Sequence, residues 1–170
     1  MSNLYDATIP VFTKFLTNLD RWLDKAVAYA EHKKFDPERF LTSRLALDQY
    51  DLIGQVQSAC DQAKFTVAKL TGKAPPSHPD TEKTLAEIRA RIKTVVAYLG
   101  TFKREDFVGA DDRPVTYPFF GGKSLRGGDF LDHMALPNFH FHLTTAYAIL
   151  RNNGVDLGKQ DYISDLPFQA

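Results

Sequence analysis

Apolar side chains recur every three or four residues through most of this chain, and this spacing constrains the fold more than any other feature. The pattern places the apolar side chains along one face of an α-helix. Four stretches show it, at about residues 7–33, 49–71, 80–100 and 129–153. Four amphipathic helices that bury their apolar faces against one another form a four-helix bundle. We therefore predict an all-α protein with one domain over residues 1–170.

Polar residues, glycines and a proline predict where these helices begin and end. Asp80 and Asp129 are expected N-caps of the third and fourth helices, because an Asp side chain accepts hydrogen bonds from free backbone N–H groups. Gly72 and Gly154 are expected to end the second and fourth helices. Pro137 should kink or restart the fourth helix, since proline has no N–H to donate. The chain after Gly154 is expected to be irregular, with apolar anchors.

The helical spacing is lost in a long excursion between the third and fourth helices, at residues 102–128. Residues 113–120 and 123–126 have the composition of short strands, and Gly121 and Gly122 between them indicate a turn. The prolines in this segment limit it to a short β-hairpin at an edge. A long connection is also where added function often lies.

The composition of the chain argues against nucleic acid and membrane as partners and bears on its compartment. The chain has 21 Lys plus Arg and 21 Asp plus Glu, so no surplus of cations is present to neutralise nucleic acid phosphates. The longest uncharged window, His133–Leu150, contains three histidines and a proline, which argues against a membrane span. Cys60 is the single cysteine and lies on an apolar helix face, where a small core residue is expected. With no basic and apolar leader at its start, the chain is expected to be cytoplasmic.

The uncharged window contains the candidate metal ligands His133, His140 and His142. Two histidines on one helix share a metal ion when they are four residues apart. No two of these have that spacing, and His133 and His140 are about 10 Å apart along the axis. Only Asn138 and His142 are four residues apart, and Asn is a poor zinc ligand. The spacing alone therefore predicts no zinc site.

The second helix offers polar partners for the fourth. Residues 52–60 carry no charge but include Gln55 and Gln57, one of which, but not both, would face the last helix. A glutamine there, together with Asn138 and His142, predicts a small polar pocket between helices two and four. The alternative is an ordinary boundary glutamine and a histidine that is hydrogen-bonded to a neighbouring helix.

Two segments of the chain resemble a known family. YDATIPVF at residues 5–12 and ALPNFHFHLTTAYAILRNNGV at residues 135–155 are similar to an uncharacterised branch of the DinB-like (YfiT-like) superfamily. The resemblance covers nearly the whole chain. It implies a four-helix bundle with a crossover excursion between helices three and four, and a homodimer. It also implies a divalent metal held by three His, one on helix two and an H-x-x-x-H pair on helix four. Some superfamily members are thiol-dependent transferases or isomerases.

The sequence departs from that metal motif. Gln55 or Gln57 stands where helix two would carry its His, and the pair on helix four becomes Asn138 and His142. We therefore expect a DinB-like bundle of unknown function, without the complete three-His site, that keeps a polar pocket for an unidentified small molecule. The alternative is a metal- or thiol-dependent transferase or isomerase that uses His142, Asn138 and a helix-two Gln, with zinc or nickel as its metal.

The sequence offers other candidate residues besides the polar pocket. His133 and His140 are secondary pocket candidates, on the opposite flank of the last helix from His142. The aromatic residues Tyr117, Phe119 and Phe120 form either an interaction surface or a patch that packs on the end of the bundle. His142 is the best single candidate for a metal ligand.

Overall fold

The computed structural model describes residues 4–168, and the prediction of an all-α fold is confirmed. Its helices are α1 (Leu4–Lys33), α2 (Leu52–Thr71), α3 (Leu85–Leu99), α4 (Gly127–Phe130), α5 (Leu136–Asn152) and α6 (Lys159–Ile163). A π turn (Leu131–Ala135) joins α4 to α5. Short 3₁₀ turns lie at Pro37–Thr42, Arg104–Phe107 and Pro118–Phe120. Two short strands, β1 (Pro114–Val115) and β2 (Leu125–Arg126), pair antiparallel.

The helices share one hydrophobic core. Trp22 and Phe12 of α1, Phe130 of α4 and Phe139 of α5 are among its largest fully buried side chains. The rings of Phe12 and Phe139 meet edge to face with centroids 4.7 Å apart, so α1 and α5 are in direct contact. Helix α2 packs most extensively against α5 on one side and also contacts α3. Because α2 contacts both α5 and α3, the polar side chains on its two sides are the ones that these helices meet.

The third helix starts later than its sequence suggested. Asp80 was the expected N-cap, but α3 begins at Leu85 and Thr84 caps it. The Thr84 hydroxyl accepts from the Glu87 N–H at 3.2 Å, and the Glu87 carboxylate accepts from the Thr84 N–H at 3.0 Å. This reciprocal capping box satisfies two free donors, whereas a lone Asp satisfies one. Asp80 instead lies in the connector with a φ of +54° and pairs with Arg91.

The fourth helical segment also differs from its prediction at its start. Helix α4 begins at Gly127, so Asp129 lies in its first turn rather than capping it. The predicted break at Pro137 takes the form of the π turn just before it, in which the Leu136 N–H donates to the Leu131 carbonyl. Proline cannot donate to the carbonyl four residues earlier and its ring crowds that group, and the wider turn accommodates both effects.

The ends of the second and fourth segments follow the prediction. Gly72 ends α2 with a φ of +77°, in the left-handed region that glycine adopts without strain. At the end of α5, the Val155 N–H donates to the Leu150 carbonyl at 3.2 Å and the Gly154 N–H to the Arg151 carbonyl at 3.1 Å. These two bonds form a Schellman motif.

The predicted hairpin exists but is shorter than its composition suggested. The ladder pairs only Pro114 with Arg126 and Val115 with Leu125. Pro118 starts a 3₁₀ turn in place of a longer first strand, because it has no N–H for a sheet ladder. The excursion therefore meets the bundle mainly through its loops and buried side chains such as Phe107 and Ala110.

The C-terminal segment was expected to be irregular, yet it contains the short helix α6 docked on α1. The Trp22 indole Nε1 donates to the Asp161 carbonyl at 3.0 Å, and the Asn18 amide donates to the Tyr162 carbonyl at 2.9 Å. Both side chains are almost fully buried, so the tail supplies the acceptors that their donors need. The Tyr162 ring stacks on Trp22 at 5.5 Å.

Over residues 4–168, none of the helices combines the length and the apolar composition that crossing a bilayer requires.

Gly127 is predicted to be the least replaceable glycine at the start of the fourth segment. A Cβ there would overlap the backbone carbonyl oxygen of Ala110, which cannot move without shifting the excursion. We expect Gly127→Ala to lower the free energy of unfolding by about 1–3 kcal/mol in urea denaturation.

Gly100→Ala is the matched control for this prediction. Gly100 has a φ of −65°, and its Cβ would lie 3.4 Å from the nearest atom. An alanine there should leave stability unchanged or raise it by about 0.4–1 kcal/mol, by restricting the unfolded chain. Equal losses in the two variants would contradict the close approach at Gly127.

Candidate functional site

Two side-chain hydrogen bonds join α2 to α5, and together they define the α2–α5 site. His142 Nδ1 lies 2.9 Å from Gln55 Oε1, and the Asn138 amide nitrogen donates to Gln62 Oε1 at 2.6 Å. As residue numbers rise along α2 from Gln55 to Gln62, they fall along α5 from His142 to Asn138, so the two helices run antiparallel. Two turns of α2 thus face one turn of α5.

Gln55 fixes the proton position on His142. The Gln55 amide nitrogen donates to the Tyr50 carbonyl at 3.1 Å, so its Oε1 is left as the acceptor that faces the imidazole. His142 Nδ1 therefore carries the proton and donates, and Nε2 keeps its lone pair. This is the orientation in which a histidine acts as a base or a ligand through Nε2.

Burial keeps His142 neutral. The side chain is half-buried, and desolvation lowers its pKa below the usual value of 6.5. Its partner Gln55 is only 1% exposed. At neutral pH, His142 is therefore an uncharged imidazole held in one tautomer. Its basic nitrogen, Nε2, takes no part in the hydrogen bond to Gln55.

The second hydrogen bond between α2 and α5 is oriented in the same way, by an amide whose nitrogen is already used. The Gln62 amide nitrogen donates to the Thr66 hydroxyl at 3.0 Å, which leaves Gln62 Oε1 to accept from Asn138. Gln62 and Thr66 were not identified from the sequence, because the uncharged stretch considered on helix two ends before them. Their signal was available, since residues 55, 59, 62 and 66 share one helical face.

Of the two candidate glutamines, the structure brings only Gln55 to α5. The Gln57 amide nitrogen donates instead to the Glu82 carboxylate at 2.9 Å, and Glu82 also accepts from Arg91 of α3, so Gln57 lies on the side of α2 that faces α3. The two glutamines lie about 200° apart around the helix, so one face cannot hold both.

The remaining histidine candidates lie outside the α2–α5 site. His133 is exposed on the π turn. His140 faces α1 and α6, where its Nδ1 lies 3.2 Å from the Tyr162 hydroxyl and its ring meets Phe15 edge to face at 4.9 Å. Burial lowers the pKa of His140. Its contacts place it in the docking of the tail.

Cys60 occupies the core. It is fully buried, and burial raises the pKa of its thiol to about 12. A protonated, inaccessible thiol is a poor nucleophile and a poor metal ligand. Its side chain therefore contributes packing rather than chemistry.

The α2–α5 side chains do not match the donor set of a three-His metal site. His142 offers one nitrogen, while Gln55 uses both ends of its amide in hydrogen bonds, and amides are weak zinc ligands. In the part of the chain that the structure describes, no group of three or more His, Cys, Asp or Glu side chains is arranged to hold a metal ion. These hydrogen bonds leave His142 Nε2 as the basic nitrogen of the arrangement.

Replacing Gln55 with leucine is predicted to release His142 from its tautomer. In the wild type, imidazole ¹⁵N shifts should report a proton on Nδ1 and protonation only below about pH 6.5, given the lowered pKa. Gln55→Leu removes the acceptor, so the proton should redistribute toward Nε2, and stability should fall by about 1–3 kcal/mol.

Gln57→Leu is the control, because Gln57 contacts Glu82 rather than His142. Its His142 resonances should match those of the wild type. An unchanged His142 spectrum in Gln55→Leu would show that the Gln55 contact does not set the tautomer.

Comparison with known proteins identifies the family. Residues 4–163 match the family model described as a domain of unknown function, DUF1993. The crystal structure of a DinB family member protein from Shewanella denitrificans is 50% identical, over 98% of this chain and 95% of that one, with a TM-score of 0.95. No functionally curated protein matches the sequence. The resemblance to the DinB-like superfamily is thus confirmed, and the chain belongs to the DUF1993 family of DinB-like proteins, whose function is unknown.

Proposed function

We propose that this protein binds a small polar molecule at the α2–α5 site without a resident divalent metal, with His142 as the basic group. The observation that carries the proposal is the 2.9 Å contact between Gln55 Oε1 and His142 Nδ1. It leaves Nε2 as an acceptor for a hydroxyl, amide or thiol hydrogen of the ligand. The sequence supports the absence of a metal, since the superfamily's helix-two His and first helix-four His are replaced.

Metal content tests the proposal directly. Protein purified without an affinity tag should contain far less than one equivalent of zinc or nickel by elemental analysis. Stoichiometric metal that is lost in His142→Ala would overturn the metal-free site.

A gain-of-metal variant tests whether the polar site occupies the position of the superfamily metal. Gln55→His with Asn138→His would complete a three-His set with His142, on two helices already in contact. We expect this double variant to bind about one equivalent of Zn²⁺ by calorimetry.

The matched control pairs Asn138→His with Gln57→His, which puts the new histidine on the side of α2 facing α3. That variant should bind no stoichiometric zinc. If the two double variants bind zinc equally, the polar site and the superfamily metal position are not the same.

A thiol-dependent transferase or isomerase is the second candidate function. The lone pair on His142 Nε2 favours it, because a neutral imidazole is suited to take a proton from a thiol substrate. Titration with glutathione should then shift the ¹⁵N resonance of His142 Nε2, as its lone pair accepts the thiol hydrogen. Unchanged shifts at millimolar glutathione would eliminate this candidate for that class of thiol.

A homodimer is the second part of the proposal. It rests on the superfamily resemblance and on exposed apolar side chains beside α5, including Phe141 at 54% and Leu45 at 45% exposure. We expect sedimentation to give the mass of two chains, and Phe141→Ser to shift the protein toward the monomer.

Phe119→Ser distinguishes a dimer interface beside α5 from one at the aromatic hairpin. Phe119 is 71% exposed at the other candidate surface. If Phe119→Ser gives monomers and Phe141→Ser does not, association runs through the hairpin. A wild-type protein that sediments with the mass of one chain at all concentrations would exclude the homodimer.

A further inference from the structure

Two cations are almost fully buried between α2, α3 and the connector of residues 72–84. The side chains of Lys64 and Arg91 are each 1% exposed. The Lys64 Nζ pairs with Asp61 at 2.7 Å, and Arg91 pairs with Asp61, Asp80 and Glu82. Buried charges persist only when they are paired, so these contacts hold the connector against both helices.

His78 makes the contact within this cluster that depends on its protonation state. Lys64 Nζ lies 2.8 Å from His78 Nδ1. An ammonium can only donate, so His78 Nδ1 must present a lone pair and its ring must be neutral. A proton on Nδ1 would direct an N–H at the ammonium and place two positive charges in contact.

The connector that carries His78 also contributes one residue, Asp80, to the lining of a cavity beside α2. The cavity has a volume of about 260 Å³, and its polar lining includes Gln57, Ser58, Asp61 and Asp80. Asp80 belongs to the connector, and Glu82, two residues on, accepts from Gln57 at 2.9 Å. Displacing the connector would therefore remove part of this lining.

We propose that the Lys64–His78 contact is a latch that holds the connector against α2, and with it Asp80 in the lining of this cavity, and that acid releases the latch. Above the titration of His78 the contact is a hydrogen bond, and below it the same pair repels. Lys64 lies about 180° around α2 from Gln55, so the latch is separate from the α2–α5 site. Either proposal stands if the other fails.

The charges around His78 act in both directions. They come from α2 (Lys64 and Asp61), from α3 (Arg91) and from the connector itself (Asp80 and Glu82). Burial has the largest effect on the pKa of His78 and lowers it. The positive charges of Lys64 and Arg91 lower this pKa further, whereas the negative charges of Asp61 and Glu82 raise it. The net direction is a pKa below 6.5.

The sign of the pH dependence follows from that direction. With a depressed pKa in the closed state, the released connector binds the proton more tightly. The latch is fully effective above about pH 6.5 and is lost as the pH falls through the lower pKa of the closed state. Within that window, the opening constant of the connector should rise by up to tenfold per pH unit.

Hydrogen exchange with mass spectrometry tests the latch in the intact protein. After correction for the intrinsic pH dependence of exchange, peptides covering residues 73–83 should lose protection between pH 7.5 and 5.0. His78→Asn keeps an acceptor near the position of Nδ1 but cannot titrate, so it should abolish this pH step. His133→Asn, at an exposed histidine on the π turn, should leave the step unchanged.

A second measurement keeps the proposal falsifiable if a variant folds poorly. Lys64→Met removes the facing ammonium, so the imidazole of His78 should titrate at a higher pH than in the wild type by NMR. The proposal is overturned if protection of the connector is independent of pH in the wild type. It is also overturned if the pH step persists in His78→Asn, or if the His78 midpoint is unchanged in Lys64→Met.

Discussion

The pairing of two buried cations is the constraint on which the arrangement of α2, α3 and the connector depends. Arg91 and Lys64 cannot remain between the helices unless Asp61, Asp80 and Glu82 reach them. Removing one partner of a buried pair costs about 3–5 kcal/mol, because the other charge is left uncompensated. The cluster therefore fixes the side of α2 that faces α3. The opposite side, with Gln55 and Gln62, is left to meet α5 through uncharged groups.

The helices could be predicted from the sequence because apolar spacing is a local property, whereas their ends depend on competition between nearby caps. Asp80 and Thr84 are both good N-caps, and Thr84 is used because Glu87 completes its box and because Arg91 engages Asp80. The π turn had a different effect. A helical wheel assumes an unbroken helix, so the flank it predicted for both His133 and His140 does not hold across this turn. His133 is exposed, whereas His140 packs on Phe15 and Tyr162.

The site was harder to predict, since its geometry depends on which neighbour each face of α2 meets. Gln55 and Gln57 flank the apolar face symmetrically, and only the positions of α3 and α5 distinguish them. The charged cluster was missed although its signal was present. Lys64 lies four residues after Cys60 and Arg91 three after Ile88, so both fall on apolar stripes where a charge requires buried partners.

The burial of Cys60 also bears on redox behaviour. As the single cysteine of the chain, with its thiol held protonated in the core, it is shielded from oxidants, from disulfide exchange and from soft metals. The folded protein should have the same covalent state in a reducing and in an oxidising compartment, so its cysteine content does not identify where it works. Any thiol chemistry at the α2–α5 site must use a sulfur atom that the substrate brings.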